Sequence, residues 1–149
     1  MTRADAQPGC IFCAAAAGDE GALTVAEGER TLALLNLYPY TSGHTMVAPR
    51  EHVGDLTRLD GATLVEMMRL AQRVMHGLQR LYAPHGFNLG LNLGEAAGAG
   101  IADHLHLHVV PRWRGDTNFM SVNADVRVVP EDLAVTRTKL RHALEEERA

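Results

Sequence analysis

Residues 104–110 read HLHLHVV, and no other stretch constrains the chain as much. Successive side chains of an extended strand point to opposite faces. Strict alternation therefore puts His104, His106 and His108 on one face and Leu105, Leu107 and Val109 on the other. A chain carrying this segment needs a sheet with an apolar core behind the leucines and a second face where three imidazoles meet. At a rise of roughly 3.3 Å per residue the outer two rings stand about 13 Å apart along the backbone. One zinc with bonds near 2.0 Å reaches an adjacent pair at most, so a single metal does not account for the row.

Other segments supply the sheet. TLALLN (31–36) and TMVAP (45–49) are short apolar runs separated by the turn residues YPYTSG, which predicts a hairpin. In FNLGLNLG, Phe87, Leu89, Leu91 and Leu93 alternate with Asn88, Gly90 and Asn92, the pattern of a half-buried strand. From Thr63 to Leu81 the apolar residues Leu64, Val65, Met68, Ala71, Val74, Met75, Leu78 and Leu81 recur near the helical period. They predict one long amphipathic helix with the methionines as core filler. AAAAG after Cys13 reads as a short helix ending at Gly18, and a last helix is expected over about 131–147. His76 and His142, on the two long helices, read as ordinary surface histidines. Strands joined by short turns, with a long helix inserted, give an α+β fold: an antiparallel sheet with helices packed on one face. The 149 residues suit a single domain, 1–149, with its functional core over about 10–120.

A net charge of −4 with scattered arginines argues against a duplex nucleic-acid partner. No apolar run has the length a bilayer needs, and MTRADAQPG carries no hydrophobic signal core, so a cytoplasmic location without membrane partners is expected. In that compartment Cys10-Ile-Phe-Cys13 reads as a metal or redox pair rather than a structural disulfide. A thioredoxin-type strand–helix context does not surround it.

The chemistry suggested by the row is covalent catalysis at its centre, because only His106 has an imidazole neighbour on each side. A neutral imidazole is nucleophilic near pH 7 and forms a reactive phosphoramidate on phosphorus, which suits two-step transfer of a phosphoryl or nucleotidyl group. A metal pair with a bystander, or a chance surface pattern, is the alternative. The glycine-rich run before the strand favours catalysis, since Gly94, Gly98 and Gly100 let backbone N–H groups approach phosphate oxygens. GAGIAD is not a dinucleotide fingerprint: it lacks the third glycine and opens a strand rather than a helix.

HLHLHVV is H-x-H-x-H followed by two apolar residues, and from about Cys10 to Phe119 the chain resembles the histidine triad family. The resemblance implies an α+β fold with an antiparallel sheet, a homodimer or higher homo-oligomer, and hydrolysis or transfer of nucleotides through a nucleotidyl-histidine intermediate. By that likeness His106 is the nucleophile, His104 helps hold its other nitrogen, His108 assists departure of the leaving group, and His44 supports the triad from the neighbouring strand. Asn36, eight residues before His44, matches the family's ribose contact and Asn92 its phosphate region; Gly98, Ala99 and Gly100, with His108, are further nucleotide-site candidates. Zinc-containing relatives imply a structural zinc on Cys10, Cys13, His52 and His104, against the alternative of two reduced thiols and a free His104.

VVPRWRGDTNFM resembles the bacterial branch that contains diadenosine tetraphosphate phosphorylases, in which the tryptophan, here Trp113, lies near the nucleotide. Arg112 is a candidate to steady a phosphate. Many transferring relatives have glutamine at the third triad position, where this chain has His108, so water is as open as phosphate for the acceptor. Gly100 and Ile101 replace the family's usual glutamine and serine or threonine, which shifts phosphate contacts toward backbone amides. The expected function is cleavage of dinucleoside polyphosphates. Adenosine phosphoramidate hydrolysis is the enzymatic alternative, and a zinc-stabilised nucleotide-binding module without turnover is the alternative of another class.

Overall fold

The computed structural model describes residues 9–37, 42–98, 104–116 and 131–147. Among these residues, strands β1 (Thr24–Glu27), β2 (Thr31–Leu35), β3 (Thr45–Pro49), β4 (Gly86–Gly90) and β5 (Leu107–Arg112) form one antiparallel sheet in the order β1-β2-β3-β5-β4. Three helices, α1 (Ile11–Ala16), α2 (Gly61–Tyr82) and α3 (Leu133–Glu147), complete the described fold. None is long and apolar enough to cross a membrane.

Every residue of β2 and β3 is buried, which requires cover on both faces of the sheet. Ala33, Leu35 and Val47 meet Met67, Leu70, Val74 and Leu78 of α2 and Leu140 and Leu144 of α3 in the main core. Leu32, Leu34, Met46 and Ala48 face the other way and pack under Phe12, Cys13 and Ala15 of α1. The expectation of helices on one face therefore holds for α2 and α3, while the short α1 covers the opposite face. Leu105, Leu107 and Val109 lie in the main core, so the histidines face the α1 side, as the alternation requires.

Two sequence expectations need correction. The buried stripe of α2 is Thr63, Met67, Leu70, Ala71, Val74, Gly77 and Leu78, whereas Leu64, Val65 and Met68 are 37%, 53% and 53% exposed. The apolar Met67 and Leu70, absent from the expected stripe, are buried, and Thr63 and Gly77 join the buried face without being apolar side chains. Gly77 sits where an added Cβ would meet Leu140 Cδ1 at 3.0 Å, which lets α3 lie close. The second correction concerns FNLGLNLG: β4 ends at Gly90 and pairs only with β5 at the sheet's edge. Its apolar side is only partly covered there, leaving Leu89 and Leu93 exposed while Phe87 and Leu91 pack against the core.

Candidate active site

His104 and His106 run into β5 beside the segment that follows β3, where Leu105 N–H donates to Val53 O at 2.8 Å. The three rings share a face and separate into three environments.

His104 is buried, and its Nε2–H donates to the Pro49 carbonyl at 2.8 Å. That bond leaves Nδ1 as the ring's lone-pair nitrogen. Nδ1 lies 3.4 Å from Cys10 Sγ, 3.6 Å from Cys13 Sγ and 3.2 Å from His52 Nδ1, and Cys13 Sγ lies 3.2 Å from His52 Nδ1. All four donor atoms fall within 4.8 Å of one another. A tetrahedron with metal–sulfur bonds near 2.3 Å and metal–nitrogen bonds near 2.0–2.1 Å has edges of about 3.3–3.8 Å. The observed separations thus fit one tetrahedral metal with two sulfur and two nitrogen ligands. Burial, ahead of every other influence, lowers the His104 pKa to about 4; the hydrogen bond to Pro49 opposes this, and His52 and His106 add to it. The ring is therefore neutral at pH 7, as a metal ligand must be.

His106 is 8% exposed and its Nδ1–H donates at 2.9 Å to the carbonyl of His104. The backbone of His104, not its ring, holds the second nitrogen of His106. Nε2 is left with the ring's lone pair, and it makes no hydrogen bond among the described residues. The ring of the fully buried Phe12 stacks on His106 with centroids 4.8 Å apart and planes at 26°. His108 meets His106 edge-on at 4.9 Å and 72°.

His108 Nδ1 shares a hydrogen bond of 2.9 Å with Nε2 of the buried His44. Asn36 Nδ2 lies 3.5 Å from the same His44 nitrogen, and its backbone N–H donates to His44 O at 3.0 Å. Burial first, then His108 and His106, push the His44 pKa down to about 4. The His108 pKa is also lowered, by burial first and then by His106. Both rings are neutral at pH 7, so His108 offers an N–H or a lone pair there rather than a positive charge.

The remaining candidates are more dispersed. The β4–β5 register pairs Asn88 with Val110 and Gly90 with His108, and the exposed Asn92 lies just beyond the end of β4. Gly98, with φ 84°, closes the single 3₁₀ turn Glu95–Ala97 and donates its N–H to Glu95 O. Ala99, Gly100 and Ile101 lie outside the described residues. Trp113 donates its indole N–H to Tyr82 O at 3.1 Å at the end of α2. Arg112 is held by Asp116 through Nε and Nη2 and by Asn88 through Nη1. Sequence reasoning missed Phe12 and the Pro49 carbonyl. Phe12 had a signal in CIFC, an aromatic residue set between two ligands.

With this geometry in place, comparison with known proteins is informative. The HIT domain model matches residues 19–115, and the chain belongs to that family. Cys10 and Cys13 lie just before the matched range. An AP-4-A phosphorylase of Mycobacterium tuberculosis is 46% identical over 122 residues, 82% of this chain, and the match spans 63% of that relative's length. An uncharacterized HIT-like protein of the same species is 34% identical over 94% of this chain and 96% of its own. Among solved structures, a Zn-bound histidine triad family protein from Mycobacterium smegmatis superposes with a TM-score of 0.77 at 33% identity, over 94% of this chain and 96% of that one.

Proposed function

We propose that the protein cleaves dinucleoside polyphosphates of the diadenosine tetraphosphate type by nucleotidyl transfer through His106. The observation that carries this reading is the pairing of His106 Nδ1–H with the His104 carbonyl, which leaves the lone pair for attack on Nε2. Nε2 attacks the α-phosphorus, forming a P–N bond as the P–O bond to the leaving nucleotide breaks. His108, in contact with both His106 and His44, assists that departure by hydrogen bonding to the leaving oxygen. Phosphate or water then displaces the nucleotide from nitrogen and frees the ring. Asn36, Asn92 and Trp113, with the stretch from Gly98 through Ala99 and Gly100, are the proposed nucleotide contacts. The 46% identity to an AP-4-A phosphorylase supports the substrate class.

The metal is read as zinc, held by Cys10, Cys13, His52 and His104; when bound it supplies structural cross-linking. His104 and its neighbours hold the nucleophile's second nitrogen through the peptide that the ligand set anchors. The protein is further read as a cytoplasmic homodimer, for which light scattering should give twice the chain mass of 16.2 kDa.

Incubation with diadenosine tetraphosphate, with and without inorganic phosphate, tests the reaction. ADP plus ATP marks phosphorolysis and AMP plus ATP marks hydrolysis; cleavage of adenosine phosphoramidate alone would replace the proposed substrate. His106→Asn should abolish turnover while nucleotide binding persists. If wild-type protein binds nucleotide and turns over none of these substrates, it is a binding module and the proposal is wrong.

A further inference from the structure

We propose that Phe12 is a positioning residue for His106, holding the plane of the nucleophile's ring; the proposal rests on the reading of His106 as nucleophile. A histidine ring turns about its Cβ–Cγ bond in a broad, shallow torsional well. The single hydrogen bond from His106 Nδ1 to the His104 carbonyl fixes one in-plane direction but leaves the ring free to tilt about that bond. A half-turn would put carbon where Nδ1 now donates and would carry Nε2 to a different place. Face-to-face contact with Phe12, at 4.8 Å and 26°, opposes both motions, and His108 closes the other side edge-on.

Phe12 is well placed to impose a plane. It is fully buried and makes no surface on which a substrate could lie. Its ring also leans on His104, with centroids 5.1 Å apart and planes at 34°. In sequence it sits between Cys10 and Cys13, whose sulfurs both face His104 Nδ1. The segment that brings two metal ligands to one side of His104 therefore brings the aromatic plane to His106. An aliphatic side chain of similar bulk would fill the same space without defining a plane, and this separates positioning from packing.

Phe12→Leu and Phe12→Met, made in the full chain, test the proposal alongside the wild type. Three quantities are read: bound metal with melting temperature, kcat and KM for diadenosine tetraphosphate, and the His106 tautomer from ¹⁵N-histidine spectra at pH 8. With metal content and melting temperature near wild type, kcat should fall roughly two- to tenfold at unchanged KM, the range expected for one lost aromatic pair. The single Nδ1–H signal of His106 should broaden or split in the same variants. Wild-type kcat with a sharp Nδ1–H signal in either folded variant overturns the proposal. A fall in kcat that only tracks metal loss also overturns it, by showing that Phe12 is packing alone. Turnover by His106→Asn would remove the nucleophile reading instead, while the tautomer spectra would still decide whether Phe12 fixes the ring.

Discussion

Removing zinc from the proposed site should cost the fold several kilocalories per mole, and the size follows from where the four candidate ligands lie in the chain. Cys10 and His104 are 94 residues apart, and Cys13 and His52 are 39 apart. A single cross-link that closes a loop near 100 residues takes about 4.7 kcal/mol of entropy from the unfolded chain, which sets the scale for this staple. Ligand linkage gives a floor, since a metal present at 100 times its dissociation constant contributes about 2.7 kcal/mol. For a chain of 149 residues each kilocalorie shifts the melting temperature by about 2–4 °C, so chelation should lower it by roughly 10 °C. The measurement is thermal unfolding at neutral pH of protein with assayed metal content, repeated after chelation and again after zinc is restored. Cys13→Ala, which breaks the ligand set, should melt near the chelated wild type and ignore the chelator. A wild-type shift below about 2 °C, or an equal shift in Cys13→Ala, would show that these four residues do not form the staple.

Acid should act through His44. Its pKa in the folded protein is about 4 against the ordinary histidine value of 6.5, so below 6.5 the unfolded chain binds the proton more readily. The associated stability is complete above pH 6.5 and drains away toward pH 4, by up to about 3 kcal/mol. Denaturation midpoints across that window should fall more steeply for wild type than for His44→Gln; parallel curves would exclude the buried neutral ring as a cause. Leu140→Ala, at a fully buried contact between α3 and α2, should cost about 2–5 kcal/mol, read as a lower urea midpoint at unchanged slope. Gly43→Ala should destabilise by about 1–3 kcal/mol, because φ is 89° and the new Cβ would lie 2.6 Å from Leu78 Cδ2. Adding Leu78→Val should recover only the steric part, and full recovery would show that backbone strain at Gly43 contributes nothing.

The faces of the histidine segment were legible because a period of two admits one assignment, and Leu105, Leu107 and Val109 enter the core as it predicts, although β5 begins only at Leu107 and holds His108 alone of the three. The cluster of Cys10, Cys13, His52 and His104 was legible in two steps: Cys-x-x-Cys needs further donors, and the family resemblance pointed to the two histidines. What could not be read depends on partners distant in sequence. On α2, which holds more apolar residues than one face needs, the choice of Met67 and Leu70 over Val65 and Met68, and the burial of Thr63 and Gly77, reflect where α3 and the sheet lie. The side taken by α1 depends on which face of β2 and β3 lacks cover, and local sequence does not state that. Nor does a side-chain pattern show that His106 is held by a peptide carbonyl, since every residue carries one.

The triad spacing sets three chemically identical rings in a row, and the fold makes them different by occupying one nitrogen of each. His104 spends Nε2–H on Pro49 O and leaves Nδ1 facing Cys10, Cys13 and His52; His106 spends Nδ1–H on His104 O and leaves Nε2 for the proposed attack. Neighbouring members of the row are thus opposite tautomers. Each is set by a backbone carbonyl, which side-chain mutation cannot delete, while burial keeps His104 neutral. A protonated His104 would carry N–H on both nitrogens and could no longer ligate through Nδ1. Loss of that ligand would loosen the peptide whose carbonyl orients His106, so metal binding and nucleophile alignment depend on the same neutral ring.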